Sequence, residues 1–434
     1  MTLDIKERHY QPVEGLVRRT SGDVSPKFLE MRSMVTPFTI TAQPAKPQSP
    51  SLISSSEGAM ERLLLTIPSY ALQGLSSTYQ DIFSTIPDDT RLIILVHASA
   101  ATEVRQWLNA AGIESRSEVV EAPDHLHFSV WAEDGYAVSK DTTDGATYFV
   151  EPFSFPRYGD SLIADFISNA TDLRDTQSPI YFQGGNILIG DDFFLIGADY
   201  PANTLQYLRS HLVPQPGELP VDLIKRLYRE YLDTVRDLHY VGSTIPVPEQ
   251  TARPIVVNGE QWKELLYLGN KAGTAQPLFH IDMFLTLAGR GEGGKFQILV
   301  GDPSAAADML GMPHLPQMMQ PVFDNIARSL DSLGFIVIRN PLPLVYMDDS
   351  QRKERVWYFS TSNNAWVQNS SDKGKIVWLP TYGYGQWTNL SDTDDANADI
   401  WKSLGYEVRQ LGDFHPFAEN LGALHCIAKY LGRN

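Results

Sequence analysis

"FLTLAGRGEGGKFQILVGD", residues 284–302, reads as two short apolar strands, Phe284–Gly289 and Phe296–Asp302, joined by a glycine-rich turn. Such a connector supplies the residues that a tight antiparallel hairpin needs. Downstream comes "VFDNIARSLDSLGFIVIRN", residues 322–340: an amphipathic helix, then Ser-Leu-Gly, then a third strand. Gly334 falls where a helix end favours a left-handed residue. The unit is strand, strand, helix, strand.

Four further pairs repeat the theme. They are "RLLLTIPS" (62–69) with "RLIILVHA" (91–98), "GYAVSK" (135–140) with "TYFVEPF" (147–153), "GNILIG" (185–190) with "FFLIGA" (193–198), and "NAWVQN" (364–369) with "KIVWLP" (375–380). Each reads as a hairpin or a neighbouring pair, and "DTTDGA", "DD" and "SSDKG" are the turns of the last three. The helix-Gly-strand grammar returns in "VRQWLNAAGIESR" (104–116) and "ADIWKSLGYEVRQL" (398–411), with Gly112 and Gly405 at the helix ends. The spacing is too irregular for a solenoid, and hairpins demand antiparallel pairing, which argues against a doubly wound sheet. The expected fold is α/β: five ββαβ units closing radially into one propeller-like domain over residues 59–434.

Residues 1–58 read as a flexible leader, since "TPFTITAQPAKPQSPSLISSSEG" (36–58) is rich in Pro, Ser and Thr and lacks periodicity. A helical insertion is expected at about 201–275. There Ile224, Leu227, Tyr228, Tyr231, Leu232, Val235 and Leu238 recur at helical spacing, as on a helix packed outside the domain.

The 434 residues are 43% hydrophobic and 20% charged, the balance of a globular chain. A net charge of −17 argues against a nucleic-acid surface and suits a cationic ligand. No apolar run reaches the length of a membrane span. The N-terminus has no apolar core of a Sec signal, so the chain is expected to be cytoplasmic, or exported through its leader by another route. The single cysteine, Cys426, excludes an internal disulfide.

A lone cysteine is commonly a small buried hydrophobe. Other motifs give this one company. "FHIDMFLTLAG" sets His280 and Asp282 two apart at a strand start, where both would face one side. Asp134 follows Trp131 before another strand, where it could also cap a turn. Gly184 and Gly185 precede Asn186 at a strand start, as in a tight turn or a close backbone approach. They form no phosphate loop, since no G-x-G-x-x-G or G-K-[ST] follows. A zinc site from His280, Asp282 and Cys426 lacks the close spacings of structural zinc motifs. His425 would point away from the cysteine's face on a strand and reads as structural.

The order of these motifs, W-x-x-D at 131–134, GGN at 184–186, H-x-D-x-F-L at 280–285 and G-x-x-H-C at 422–426, resembles the guanidine-modifying superfamily with the five-bladed pentein fold. The H-x-D-x-F-L and G-x-x-H-C stretches are most similar to the protein-arginine deiminase catalytic domain. Agmatine deiminases come next, their W-x-R-D and P-x-Y-G stretches echoed by "WAED" (131–134) and "LPTYGYGQWTN" (379–389). The resemblance spans roughly residues 60–434. Two positions depart from agmatine deiminases: Glu133 replaces the Arg of W-x-R-D, and Gln183 replaces a Glu before the glycines.

The resemblance implies a hydrolytic deiminase without a metal or organic cofactor. Asp134 and Asp282 would hold a planar guanidinium through paired hydrogen bonds, with Trp131, Gly185 and Asn186 beside the substrate. The Cys426 thiolate would attack the guanidinium carbon, and His280 would protonate the departing ammonia and then activate water. The substrate would be an arginine-containing protein or a small guanidine such as agmatine or free arginine. An amidinotransferase of the same fold would pass the amidino group to an amine instead. From other classes, a cysteine peptidase using His280 and Cys426 suits five hairpin repeats poorly, and a non-catalytic binding module would not need these residues together.

Overall fold

The computed structural model describes residues 46–153, 155–157, 159–208, 214–312 and 318–434. Within them the fold is mixed α/β. Five sheets share one plan, in which the first two strands pair antiparallel and the third joins the second in parallel. The 284–302 hairpin shows it: Leu285–Arg290 pairs antiparallel with Phe296–Asp302, the helix Gln320–Ser332 crosses over, and Ile336–Pro341 returns parallel to the second strand. Gly334 ends the crossover with φ 100°, and Gly405 does the same at φ 83° after the helix Ser391–Ser403, the conformation that side chains with a Cβ resist.

The other sheets follow suit. Ala137–Asp141 and Thr147–Glu151 precede the helix Ile163–Ala170 and the parallel strand Arg174–Gln177. Ile187–Ile189 and Phe193–Gly197 precede Asp237–Val241. Trp366–Ser370 and Gly374–Thr381 precede Glu407–Asp413. In the fifth sheet Ala428–Arg433 pairs antiparallel with Met60–Ile67, to which Arg91–His97 is parallel. "RLLLTIPS" and "RLIILVHA" are therefore parallel neighbours; the antiparallel partner of the first comes from the far end of the sequence. The helix Ala101–Ala110 then leads to a further parallel strand, Ser117–Ala122.

Three expectations need correction. Residues 46–58, assigned to the leader, belong to the fold: Pro50–Leu52 pairs antiparallel with Ala137–Asp141, and Ser56 is fully buried. Residues 1–45 lie outside the described residues. The helix of the insertion is Pro220–Tyr231 and stops before Val235, which is 65% exposed. Asp233 ends it by accepting the backbone N–H groups of Val235 and Arg236 at 2.8 and 2.7 Å, a local side-chain bond that competes with helix. Leu238 then lies in the third strand of its sheet. Much of the supposed insertion is thus the crossover of a regular unit. The true addition is the hairpin Thr251–Val257 and Glu260–Leu266, which meets a second hairpin, Leu344–Asp349 and Glu354–Phe359, in a sixth sheet.

The largest apolar core draws from several sheets, with Leu63, Leu65, Ile94, Val96, Leu285, Ile298 and Val300 at 1% exposure or less. Each such side chain contributes about 1.5–3 kcal/mol by leaving water. This rigid floor underlies the segments that lead into the first strands.

Candidate active site

Each of the five sheets is preceded by a short polar segment just before its first strand, and these segments meet. They are Trp131–Asp134, Gln183–Asn186, His280–Asp282, Asn363–Asn364 and His425–Cys426. Hydrogen bonds join them in a circuit. Glu133 N donates to Cys426 O at 3.1 Å, Gly184 N to Asp134 O at 3.1 Å, and His425 N to Asn364 O at 3.1 Å. Ile281 N donates to Asn186 Oδ1 at 3.1 Å, and Asn364 Nδ2 to Asp282 O at 3.4 Å. Buried backbone groups are satisfied by this circuit, which fixes each segment against the next.

His280 and Asp282 lie on a single 3-10 turn, Ile281–Met283, rather than on a strand. They still point into one space, because Gly185 separates them. A Cβ built on Gly185 would stand 2.7 Å from His280 Nδ1 and 3.0 and 3.2 Å from the Asp282 carboxylate oxygens. Asp134 faces the same space, its Oδ1 3.5 Å from His280 Nδ1. The Cys426 sulfur is 3.6 Å from Asp282 Oδ2. The four expected reacting residues are thus together, each 3% exposed or less.

Each carboxylate accepts a bond from a basic side chain. Asp134 Oδ2 accepts from Arg157 Nη2 at 2.8 Å, and Asp282 Oδ2 accepts from His425 Nδ1 at 2.8 Å. Asp282 Oδ1 is buried with no hydrogen-bond partner. Arg157 also pairs with Asp160, and Lys429 pairs with Glu133 at 2.6 Å. Four buried carboxylates (Glu133, Asp134, Asp160, Asp282) therefore face three cations, Arg157, Lys429 and His425 when protonated. Burial works against charge on His425, but Glu133 and Asp282 outweigh it and raise its pKa above the ordinary histidine value. Burial, then Asp282 and Asp134, push the Cys426 thiol well above its usual range. A buried excess of negative charge beside a thiol favours the arrival of one cation.

His280 Nε2 lies 2.7 Å from Gln183 Oε1. An amide oxygen only accepts, so this bond places a proton on Nε2 and turns Nδ1 toward the carboxylates. Glu133, the other departure, is occupied by Lys429.

Not every expected site residue joins. Trp131 is buried against Phe417, ring centroids 6.1 Å apart, and presses on Gly422 beneath the cysteine turn. It supports that turn from the core. Asn186 is spent internally: its Oδ1 accepts from Ile281 N and Gln276 Nε2, and its Nδ2 donates to Gly197 O. It braces the His280 turn. His425, read as facing away, contacts Asp282, because Cys426 sits on a 3-10 turn, His425–Ile427, and the strand starts at Ala428. Arg157 has no motif around it, and Asn364 was read only as the first residue of the strand "NAWVQN" (364–369). Among the described residues no group of His, Cys, Asp and Glu is placed to hold a metal ion, and no helix is long and apolar enough to cross a membrane.

No protein-family model matches the sequence, and no curated protein matches it. Solved structures do match. An agmatine deiminase of Enterococcus faecalis aligns at a TM-score of 0.57 and 11% identity, covering 89% of this chain and 97% of that one. The C. jejuni agmatine deiminase gives 0.56 and 11% over the same shares. A structural-genomics structure assigned to the agmatine deiminases gives 0.59 and 13%, again over 89% and 97%. The likeness shows that this chain shares the fold of these agmatine deiminase structures.

Proposed function

We propose that this protein hydrolyses a guanidinium group to a ureido group and releases ammonia, with Cys426 as nucleophile and a small arginine-like guanidine as the first candidate substrate. The observation that carries the reading is the buried cluster in which His280 Nδ1 lies beside Gly185 and Asp134 Oδ1, and the Cys426 sulfur beside Asp282 Oδ2. The agmatine-deiminase likeness supports guanidine chemistry, and the five polar segments joined in a circuit support a five-bladed arrangement around the site.

The residues would act as follows. A guanidinium donates N–H bonds to the carboxylates of Asp134 and Asp282, and its positive charge complements theirs. That added cation lowers the cost of ionising the thiol. The thiol proton passes to His280 Nδ1, and the thiolate forms an S–C bond to the guanidinium carbon. His280 passes a proton to one nitrogen, the C–N bond breaks and ammonia departs. His280 then takes a proton from water as it adds to the same carbon, the S–C bond breaks, and the ureido product leaves.

A ureido-specific colour assay with agmatine, free arginine and an arginine-containing peptide tests this. Colour with native protein and none with Cys426→Ala is expected. Full activity in Cys426→Ala, or no colour with any guanidine, would overturn it.

A further inference from the structure

Asn364, the contribution of the fourth sheet, has no part in the reaction drawn above. It is fully buried, and it wraps the cysteine turn. Its Oδ1 accepts the backbone N–H groups of Ala423 at 3.1 Å and Cys426 at 3.2 Å, while its backbone oxygen accepts that of His425 at 3.1 Å. Two N–H donors on one amide oxygen decide which way the amide faces. The nitrogen must point the other way, and there it lies 3.2 Å from the Cys426 sulfur.

The sulfur's other neighbours make that donor consequential. Asp282 Oδ2 is 3.6 Å away, and the Asp134 carboxylate also opposes ionisation. Arg157 is the cation whose field reaches the sulfur, but it is engaged by Asp134 and Asp160. His425 is engaged by Asp282, and the buried phenol of Tyr382 near the sulfur is neutral. Among the described side chains, the Asn364 amide is the donor aimed at the sulfur; its nitrogen also lies 3.4 Å from Asp282 O and 3.7 Å from Met283 Sδ.

We propose that Asn364 is a further catalytic residue: its side-chain N–H carries the Cys426 sulfur as a thiolate against the two carboxylates, and its oxygen fixes the turn that aims this sulfur. The assignment rests on Cys426 being the nucleophile. Asn364 makes and breaks no covalent bond. It lowers the energy of the charged sulfur before attack and when the sulfur leaves again.

The chain has one cysteine, so alkylation by iodoacetamide followed by intact mass reports this sulfur alone, with Cys426→Ser as the blank. Asn364→Asp keeps an oxygen for the two N–H bonds and replaces the donor facing the sulfur with an acceptor. At fixed pH its alkylation should be about ten- to a hundred-fold slower, the worth of a hydrogen bond to a charged group. Asn364→Ala, which loses donor and clamp, should be slowed as well and melt earlier. An unchanged alkylation rate in folded Asn364→Asp would overturn the proposal. Loss of the fold in both variants would assign Asn364 to the turn alone and overturn it too. The readout needs no substrate: slowed alkylation in a protein that turns over no guanidine would sink the deimination reading and leave the thiolate donor standing.

Discussion

Oδ2 of Asp282 accepts a hydrogen bond from Nδ1 of His425 at 2.8 Å, and the same oxygen lies 3.6 Å from the sulfur of the next residue, Cys426. The histidine and the cysteine, adjacent in sequence, thus share one carboxylate. Asp282 is oriented by the imidazole, and its second oxygen has no hydrogen-bond partner.

This pairing predicts a pH-dependent stability difference between native protein and His425→Gln. The folded pKa of His425 is raised above the ordinary 6.5. Its contribution is therefore fully present below 6.5 and lost as pH rises through the raised value. Breaking a buried pair costs about 3–5 kcal/mol. Denaturation of both proteins across pH should show a large gap in acid-neutral conditions that narrows on the alkaline side; parallel curves would refute the pairing.

Gly184 and Gly185 should separate fold from chemistry. A Cβ on Gly184 would stand 1.8 Å from the backbone oxygen of Glu133, which cannot yield, so Gly184→Ala should fail to fold stably. The three atoms nearest the Cβ of Gly185→Ala belong to the side chains of His280 and Asp282, and the backbone there is not left-handed. This variant should keep its fold, lose a few degrees of Tm, and lose about a hundred-fold or more in kcat/KM. Undiminished turnover in Gly185→Ala would remove the substrate from that space.

The strand pairs, the crossover helices and their terminal glycines were legible because each is a local pattern of turn composition and periodicity. Cys426, His280, Asp282 and Asp134 were legible through the order of their motifs. What escaped depends on partners distant in sequence. Asn364 stands two residues before the first strand of its sheet, as Cys426 does in the fifth; Asp134 and Asp282 stand three before theirs and Asn186 one. Comparing the five units position by position would have pointed to it. Arg157 offers no such cue, since only the fold brings it to Asp134. His425 was misplaced because a strand's alternation was applied to a 3-10 turn, and Val235 because helical spacing continued past the Asp233 side chain that ends the helix.

The loop after the fourth sheet's second strand carries a second pH effect. Asp394 Oδ2 accepts the backbone N–H groups of Tyr382 and Gly383 at 2.8 and 2.9 Å, yet burial raises its pKa to about 6. With a raised folded value, its contribution is fully present below 3.8 and is lost as pH rises through about 6. Asp394→Asn keeps an oxygen for both N–H groups and never ionises. Relative to native protein it should gain about 3 kcal/mol between those two pH values and hold that gain at higher pH. Thermal melts of both proteins at pH 4 to 8, as a set of about five buffers, would refute this if the difference did not change.

The buried pair Glu133–Lys429 supplies the last test. Glu133 is 3% exposed, its Oε2 has no hydrogen-bond partner, and burial raises its pKa despite Lys429 and His425 nearby. Its charge is tolerated because Lys429 Nζ sits 2.6 Å from Oε1. Lys429→Met alone strands that carboxylate and should cost about 3–5 kcal/mol. Replacing both, as Glu133→Leu with Lys429→Met, removes the stranded charge and should recover most of the loss, since paired burial brings little net stability. Urea midpoints of the two single variants and the double variant give the coupling. Simple additivity would mean the two residues do not depend on each other, and the charge accounting around Asp282 would then have to be redrawn without Lys429.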